Sequence, residues 1–76
     1  GTIIRYQLPK AGNVTLKVYD VLGNEVTTLV NEYRSPGSYQ VEFITSSINH
    51  HPSSGVYFYQ LKSGDFVETK KMMFLK

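Results

Sequence analysis

The sequence predicts a small all-β sandwich, and three features carry the prediction. Apolar and polar residues alternate with a period of two over several short runs, as they do along half-buried strands. Turns rich in Gly, Pro, Asp and Asn separate those runs at intervals of about 8–12 residues, the spacing of sandwich strands. No stretch sustains a helical period. With 76 residues the chain suits one domain, and hairpin-length links make antiparallel pairing the expectation.

The first strand is Thr2 to Leu8, in which Ile4, Tyr6 and Leu8 share one face and Arg5 and Gln7 the other. Pro9 and Gly12 end it, since proline removes a ladder donor and glycine permits a turn. Val14 to Tyr19 follows, with Val14, Leu16 and Val18 inward and Thr15, Lys17 and Tyr19 outward. Asp20-Val21-Leu22-Gly23-Asn24 then reverses the chain, with the chemistry of a type I turn closed by a glycine. Glu25 to Glu32 is a third strand with a poorer pattern, because Val26 and Val30 alternate but Leu29 falls out of phase. A bulge near Thr27-Thr28 accounts for that. A single helical turn also fits Val26, Leu29 and Val30, although β-branched content favours the strand.

Tyr33 to Gly37 is expected as a turn, and Ser38 to Phe43 as a fourth strand with Tyr39, Val41 and Phe43 inward. Ile44 to Ser54, rich in Ser, Asn and His, has no clear period and is expected as a mobile loop. Val56 to Lys62 has two apolar faces, Tyr57, Tyr59 and Leu61 against Val56 and Phe58, which marks a central strand. Ser63-Gly64-Asp65 makes a hairpin into the last strand, Phe66 to Leu75, whose phase blurs at Lys70-Lys71 because Met72, Met73, Phe74 and Leu75 are all apolar. An apolar strand running to the end of the chain is unusual, because domain ends normally fray and turn polar.

Composition excludes several classes of function. There is no cysteine, hence no disulfide framework or thiolate metal site. The net charge of +2 comes from scattered Lys and Arg, unlike the dense basic stripe of a nucleic-acid binder. No apolar run approaches the roughly 20 residues of a membrane span, and no signal peptide opens the chain. A strand starting directly after Gly1 is expected of a single domain, residues 1–76, excised from a larger protein. Catalytic candidates are few. His50-His51 lacks metal-ligand spacing and a carboxylate neighbour, and reads as a solvated loop. The six carboxylates sit on turns or polar faces, with Asp20 and Asp65 serving their turns. No P-loop, nucleophile elbow, HExxH or EF-hand motif is present. The chain is therefore not expected to be an enzyme or to need a cofactor, metal or small-molecule substrate. Tyr57 and Tyr59 read as core, while outward Tyr19 and Phe58 are candidates for a sugar platform or for covering a neighbouring domain. Lys70, Lys71 and Lys76 fit a solubilising, anti-aggregation strand and also a basic tag recognised by a partner; composition does not separate the two.

Beyond this the blocks of the sequence carry a resemblance. The runs TIIRYQLP from Thr2, GNVTLKVYDVLGNEV from Gly12, PGSY from Pro36, SGVYFYQL from Ser54 and KKMMFLK from Lys70 resemble, in order and spacing, the C-terminal sorting domain of the type IX secretion system, the Por secretion tail family. The resemblance implies an immunoglobulin-like antiparallel β-sandwich of six to seven short strands. It implies a non-catalytic signal at the end of proteins exported by Bacteroidetes. Such a domain passes through the periplasm of a Gram-negative cell, meets the outer-membrane translocon and a sortase-like protease, and leaves its cargo on the cell surface or outside. By the same resemblance Asp20 and Gly23 match the family's D-x-x-G turn, Gly37 with Tyr39 and Gly55 with Tyr57 its two G-x-Y motifs, and Tyr59 the strand after the second. Lys70, Lys71, Met72 and Lys76 fall in its terminal block as the sorting determinants. The Pro-Asn-Pro-type segment that usually begins the family is missing before Thr2, and Ile48 to Ser53 is longer than the family's link. Without that first segment an edge strand is expected to be exposed, and with it some tendency to self-associate. The alternative is an immunoglobulin-like accessory or assembly module, similar to part of the flagellar hook-cap protein or binding carbohydrate.

Overall fold

The computed structural model describes residues 2–43 and 55–74. These form six strands: β1 (Thr2–Leu8), β2 (Gly12–Tyr19), β3 (Glu25–Arg34), β4 (Gly37–Phe43), β5 (Gly55–Ser63) and β6 (Phe66–Phe74). They make two antiparallel sheets, β1-β4 and β3-β2-β5-β6, packed face to face. The expected all-β sandwich is what forms, with β5 central, between β2 and β6.

The inward positions named from alternation supply most of the core, and β6 adds Met72 and Phe74. Ile4, Tyr6, Leu8, Val14, Leu16, Val18, Val30, Phe43, Tyr57, Tyr59, Leu61, Met72 and Phe74 are buried together, and no polar or charged side chain among the described residues joins them. One end of the core is aromatic. Phe43 and Phe74 lie 4.8 Å apart between ring centroids, and Tyr57 meets both edge-on at 6.0 Å.

One local expectation needs correction. Strand β3 runs on through Tyr33 and Arg34, pairing with Asn13 and Gly12, so the turn shrinks to Ser35-Pro36. Arg34 is held in the strand by Glu32 and by the ring of Tyr39, 4.9 Å below its guanidinium carbon. Of the two readings of Glu25 to Glu32, the strand with a bulge near Thr27-Thr28 forms and the single helical turn does not. Two register shifts pass over Leu29 and Val26, one on each side of Thr27-Thr28, and let both apolar side chains pack against the core. Pairing is antiparallel throughout the described residues, as expected, and joins sequence neighbours only in β2–β3 and β5–β6. Strand β1 pairs with β4, Thr2 opposite Phe43 through Leu8 opposite Gly37, so the β1–β2 and β3–β4 links cross between sheets. Crossing is what allows the apolar faces of β1 and β4 to lie over those of β2 and β5.

The smaller sheet does not cover the larger one completely. Strand β4 lies towards β3, as the Arg34–Tyr39 contact shows, and β1 lies towards β6, where Thr2 Oγ1 donates to the Met73 carbonyl at 3.2 Å. Beside β1 the inner face of β6 opens into a cleft of about 860 Å³, lined among others by Arg5, Gln7, Phe66, Glu68 and Lys70.

Candidate functional site

The terminal strand is organised by its register. Met72 pairs with Tyr57, Lys71 with Phe58, and Lys70 with Tyr59. Because Tyr57 and Tyr59 face the core, Met72 and Lys70 share the inner face of β6, and Lys71 and Met73 the outer. Met72 and Phe74 are buried, 8% and 1% exposed, while Met73 is 58% exposed. Alternation alone could not phase this strand, since four consecutive apolar residues fit either face. Pairing with β5 settles it.

Lys70 and Lys71 therefore stand on opposite sides of the sheet. Lys70 is inward by register yet exposed, because β6 extends beyond the cover of β1, and its Nζ lies 3.8 Å from Glu68 in the open cleft. Such an inward charge at a sheet edge discourages another strand from adding there. Lys71 projects from the outer face, and among the described residues no carboxylate lies within ion-pair distance of it. The structure thus divides two lysines that the sequence offers as one pair. Lys76 lies outside the described residues, as does His50-His51.

The glycine motifs have a common geometry. Gly37 and Gly55 each open a strand, at φ of +154° and +149°, a backbone state that side chains rarely adopt. Two residues on, Tyr39 and Tyr57 turn inward. Each G-x-Y therefore sets the direction in which a strand enters its sheet and then anchors it by an aromatic ring. Tyr57 anchors to Phe43 and Phe74, and Tyr39 stacks on Tyr6 at 5.4 Å while its hydroxyl donates to the Ser35 carbonyl. Burial pushes the Tyr6 phenol above its ordinary range, with Arg34 pulling the other way. The Arg34 brace over this stack carries no alternation signal and is not visible in the sequence.

Asp20 does what the turn requires. Its Oδ1 accepts from the amides of Leu22 and Asn24, both at 2.9 Å, while Gly23 N donates to the Asp20 carbonyl and Asp20 N to the Asn24 carbonyl, both at 3.0 Å. Those amide bonds, that from Asn24 foremost, hold the Asp20 carboxyl below its ordinary range. The turn's tip carries two apolar side chains in water, Val21 at 65% and Leu22 at 83% exposure.

Tyr19 and Phe58 are half-buried cross-strand partners on the outer face, with Lys71 next in the row. Among the described residues no three His, Cys, Asp or Glu side chains gather as a metal site would need.

Comparison with known proteins adds a family. The model of the secretion system C-terminal sorting domain matches residues 2–75. No curated protein and no solved structure gives a match.

Proposed function

From the premise that this chain belongs to the secretion system C-terminal sorting domain family, we propose that its last strand presents Lys71 and Lys70 to the export machinery, and that Lys76, outside the described residues, belongs to the same signal. The domain is a sorting signal for type IX secretion, which sends a cargo to the cell surface or exterior. Members of this family are in general non-catalytic, and the accessory-module alternative is not favoured. The finer reading is that the domain acts as a signal alone. It crosses the periplasm folded, its contacts are the outer-membrane translocon and then a sortase-like protease, and it needs no nucleic acid, cofactor or small molecule.

The observation that supports the residue-level reading is the split of β6. Its inner face holds the sandwich through Met72 and Phe74, and its outer face offers Lys71 free of any carboxylate among the described residues. Met72 then serves the signal from inside, by fixing the register that turns Lys71 outward.

This bears on the choice of experiment. Deleting residues 70–76 removes two core side chains along with the lysines, so lost export would report unfolding as readily as lost recognition. Point substitution separates them. A reporter carrying this chain at its C-terminus is expressed in a bacterium with a working type IX system, and reporter in the medium and at the surface is measured. Lys71→Ala is expected to lower export several-fold with an unchanged melting temperature, and Lys70→Ala to lower it less. Normal export of the Lys70→Ala/Lys71→Ala double variant would refute the assignment.

A further inference from the structure

We infer that the Val21-Leu22 turn tip and the Tyr19–Phe58–Lys71 row beside it form one docking surface, whose occupant is a partner protein offering an apolar pocket with a carboxylate at its rim. The inference rests on the sorting function and names the surface which that function uses.

The turn is the first support. Four bonds of 2.9–3.0 Å around Asp20 close it, taking up the amides of Asp20, Leu22, Gly23 and Asn24. A turn closed this way gains nothing from Val and Leu at its two central positions, since neither side chain takes part in the bonding. Turn tips are ordinarily polar, and here two branched apolar side chains stand largely in water on a backbone already fixed. A preordered apolar knob loses little freedom on binding.

Placement is the second. Tyr19, the last residue of β2, pairs with Phe58, and Phe58 pairs with Lys71. The next outward pair along β5 and β6 is Val56 with Met73. The turn that follows Tyr19 therefore stands at the end of the sheet where Tyr19, Phe58, Val56 and Met73 make a continuous apolar outer face. Val21, Leu22 and Met73 are three of the large apolar side chains most exposed to water, and they gather at this one end. An apolar surface gathered in this way marks a protein contact more often than scattered residues do.

Charge gives the partner's chemistry. Lys17 on the same face is matched by Glu25 at 3.3 Å, and Lys70 by Glu68 on the opposite face. The Asp20 carboxylate is turned towards its own turn amides. Lys71 is left as the unmatched charge of the row among the described residues, about 10 Å from Tyr19, two strand spacings. An apolar pocket for Leu22 with a carboxylate at its rim fits both features. A nucleic acid or a sugar fits neither an aliphatic knob nor a single cation.

The test uses the reporter fused to this whole chain, in a bacterium with a working type IX system, beside a fusion lacking the chain. Val21→Ser/Leu22→Ser is expected to cut export about tenfold or more, since burying two aliphatic side chains is worth at least that in affinity. Lys71→Glu is expected to cut it comparably, and Leu22→Met and Lys71→Arg to retain it. Each purified variant is checked for the wild-type melting temperature; these positions are exposed, so it should be kept. Wild-type export by a stably folded Val21→Ser/Leu22→Ser variant overturns the inference, provided the fusion lacking the chain stays inside the cell. Export of that bare fusion overturns the sorting function instead. A wild-type domain that sediments as a dimer, reduced to monomer by Val21→Ser/Leu22→Ser with export intact, would make a second copy the occupant and also overturn it.

Discussion

Replacing Phe74 by Ala, with Met73→Ala as its control, tests whether the end of the chain is structural. The two residues are adjacent and differ by one step of strand alternation. Phe74 is 1% exposed and meets Phe43 at 4.8 Å and Tyr57 at 6.0 Å. Truncating a buried Phe costs about 3–5 kcal/mol, and the two ring contacts place this one near the middle or above, about 4 kcal/mol. A domain of 76 residues has roughly 4–11 kcal/mol of stability in all. Phe74→Ala should therefore remove a third or more of the total and leave the domain close to unfolding at 37 °C. At about 1 kcal/mol per molar urea for a chain this small, the unfolding midpoint should fall by roughly 4 M. Met73→Ala, at an exposed site, should stay within about 0.5 kcal/mol. Urea titration followed by far-ultraviolet circular dichroism gives both values, with tyrosine emission as a second probe. A loss below about 1 kcal/mol for Phe74→Ala, or equal losses for the two variants, would refute the register of β6 and with it the outward position of Lys71.

Three further outcomes are expected. The Asp20 carboxyl is held below its ordinary range in the folded chain, so its contribution to stability is complete above the unfolded value of about 3.9 and lost as pH falls through the folded one. Asp20→Ala should accordingly narrow the difference in melting temperature between about pH 5 and pH 2.5; an unchanged difference would show that the turn bonds do not discriminate charge. Gly55→Ala should cost about 1–3 kcal/mol through backbone strain alone, because a Cβ there meets nothing within 4 Å, and urea midpoints equal to wild type would remove that account of the second G-x-Y. Self-association through an open edge should be weak, since in-register pairing of β1 or β6 with its own copy sets Arg5 or Lys70, the middle residue of each strand, against itself. Lys70→Thr should raise the dimer fraction in sedimentation equilibrium, and no rise would locate the restraint elsewhere.

What the sequence disclosed followed from which forces have a local signature. Alternation is local, so the inward sets of β1, β2, β4 and β5 stand in the core as expected, and so does the Asp20 turn, whose donors lie within four residues. Pairing order is not local. Nothing in Pro9 to Gly12 distinguishes a hairpin from a crossing between sheets, and only the need to cover two apolar faces with one small sheet decides it. The same limit hid the split between Lys70 and Lys71. Four apolar residues in a row have no phase of their own, and β6 takes its phase from the tyrosines of β5 through the fourteen residues of strand and turn between the paired Tyr57 and Met72. Arg34 was missed for a further reason: a cation on an aromatic face depends on two sheets meeting, which no single strand pattern encodes.

The core role of β6 and the recognition proposed for its outer face are not independent, and alternation is what ties them. In a strand the side chain at one position and the next must face opposite ways. Burying Met72 and Phe74 therefore obliges Lys71 and Met73 to face out, and a slip of one residue would bury the lysine and expose the aromatic. The register that exposes Lys71 is the one that seals Phe74 against Phe43 and Tyr57, so the outer face of β6 exists as a defined surface only when the core behind it is closed. A partner that recognises that face recognises folding at the same time. An unfolded chain carries the same lysines but holds them in no fixed relation to Tyr19, Phe58 or the Val21-Leu22 tip. If the proposed recognition of that face is what sorts the cargo, this coupling acts as a physical filter that passes only chains whose sandwich is folded.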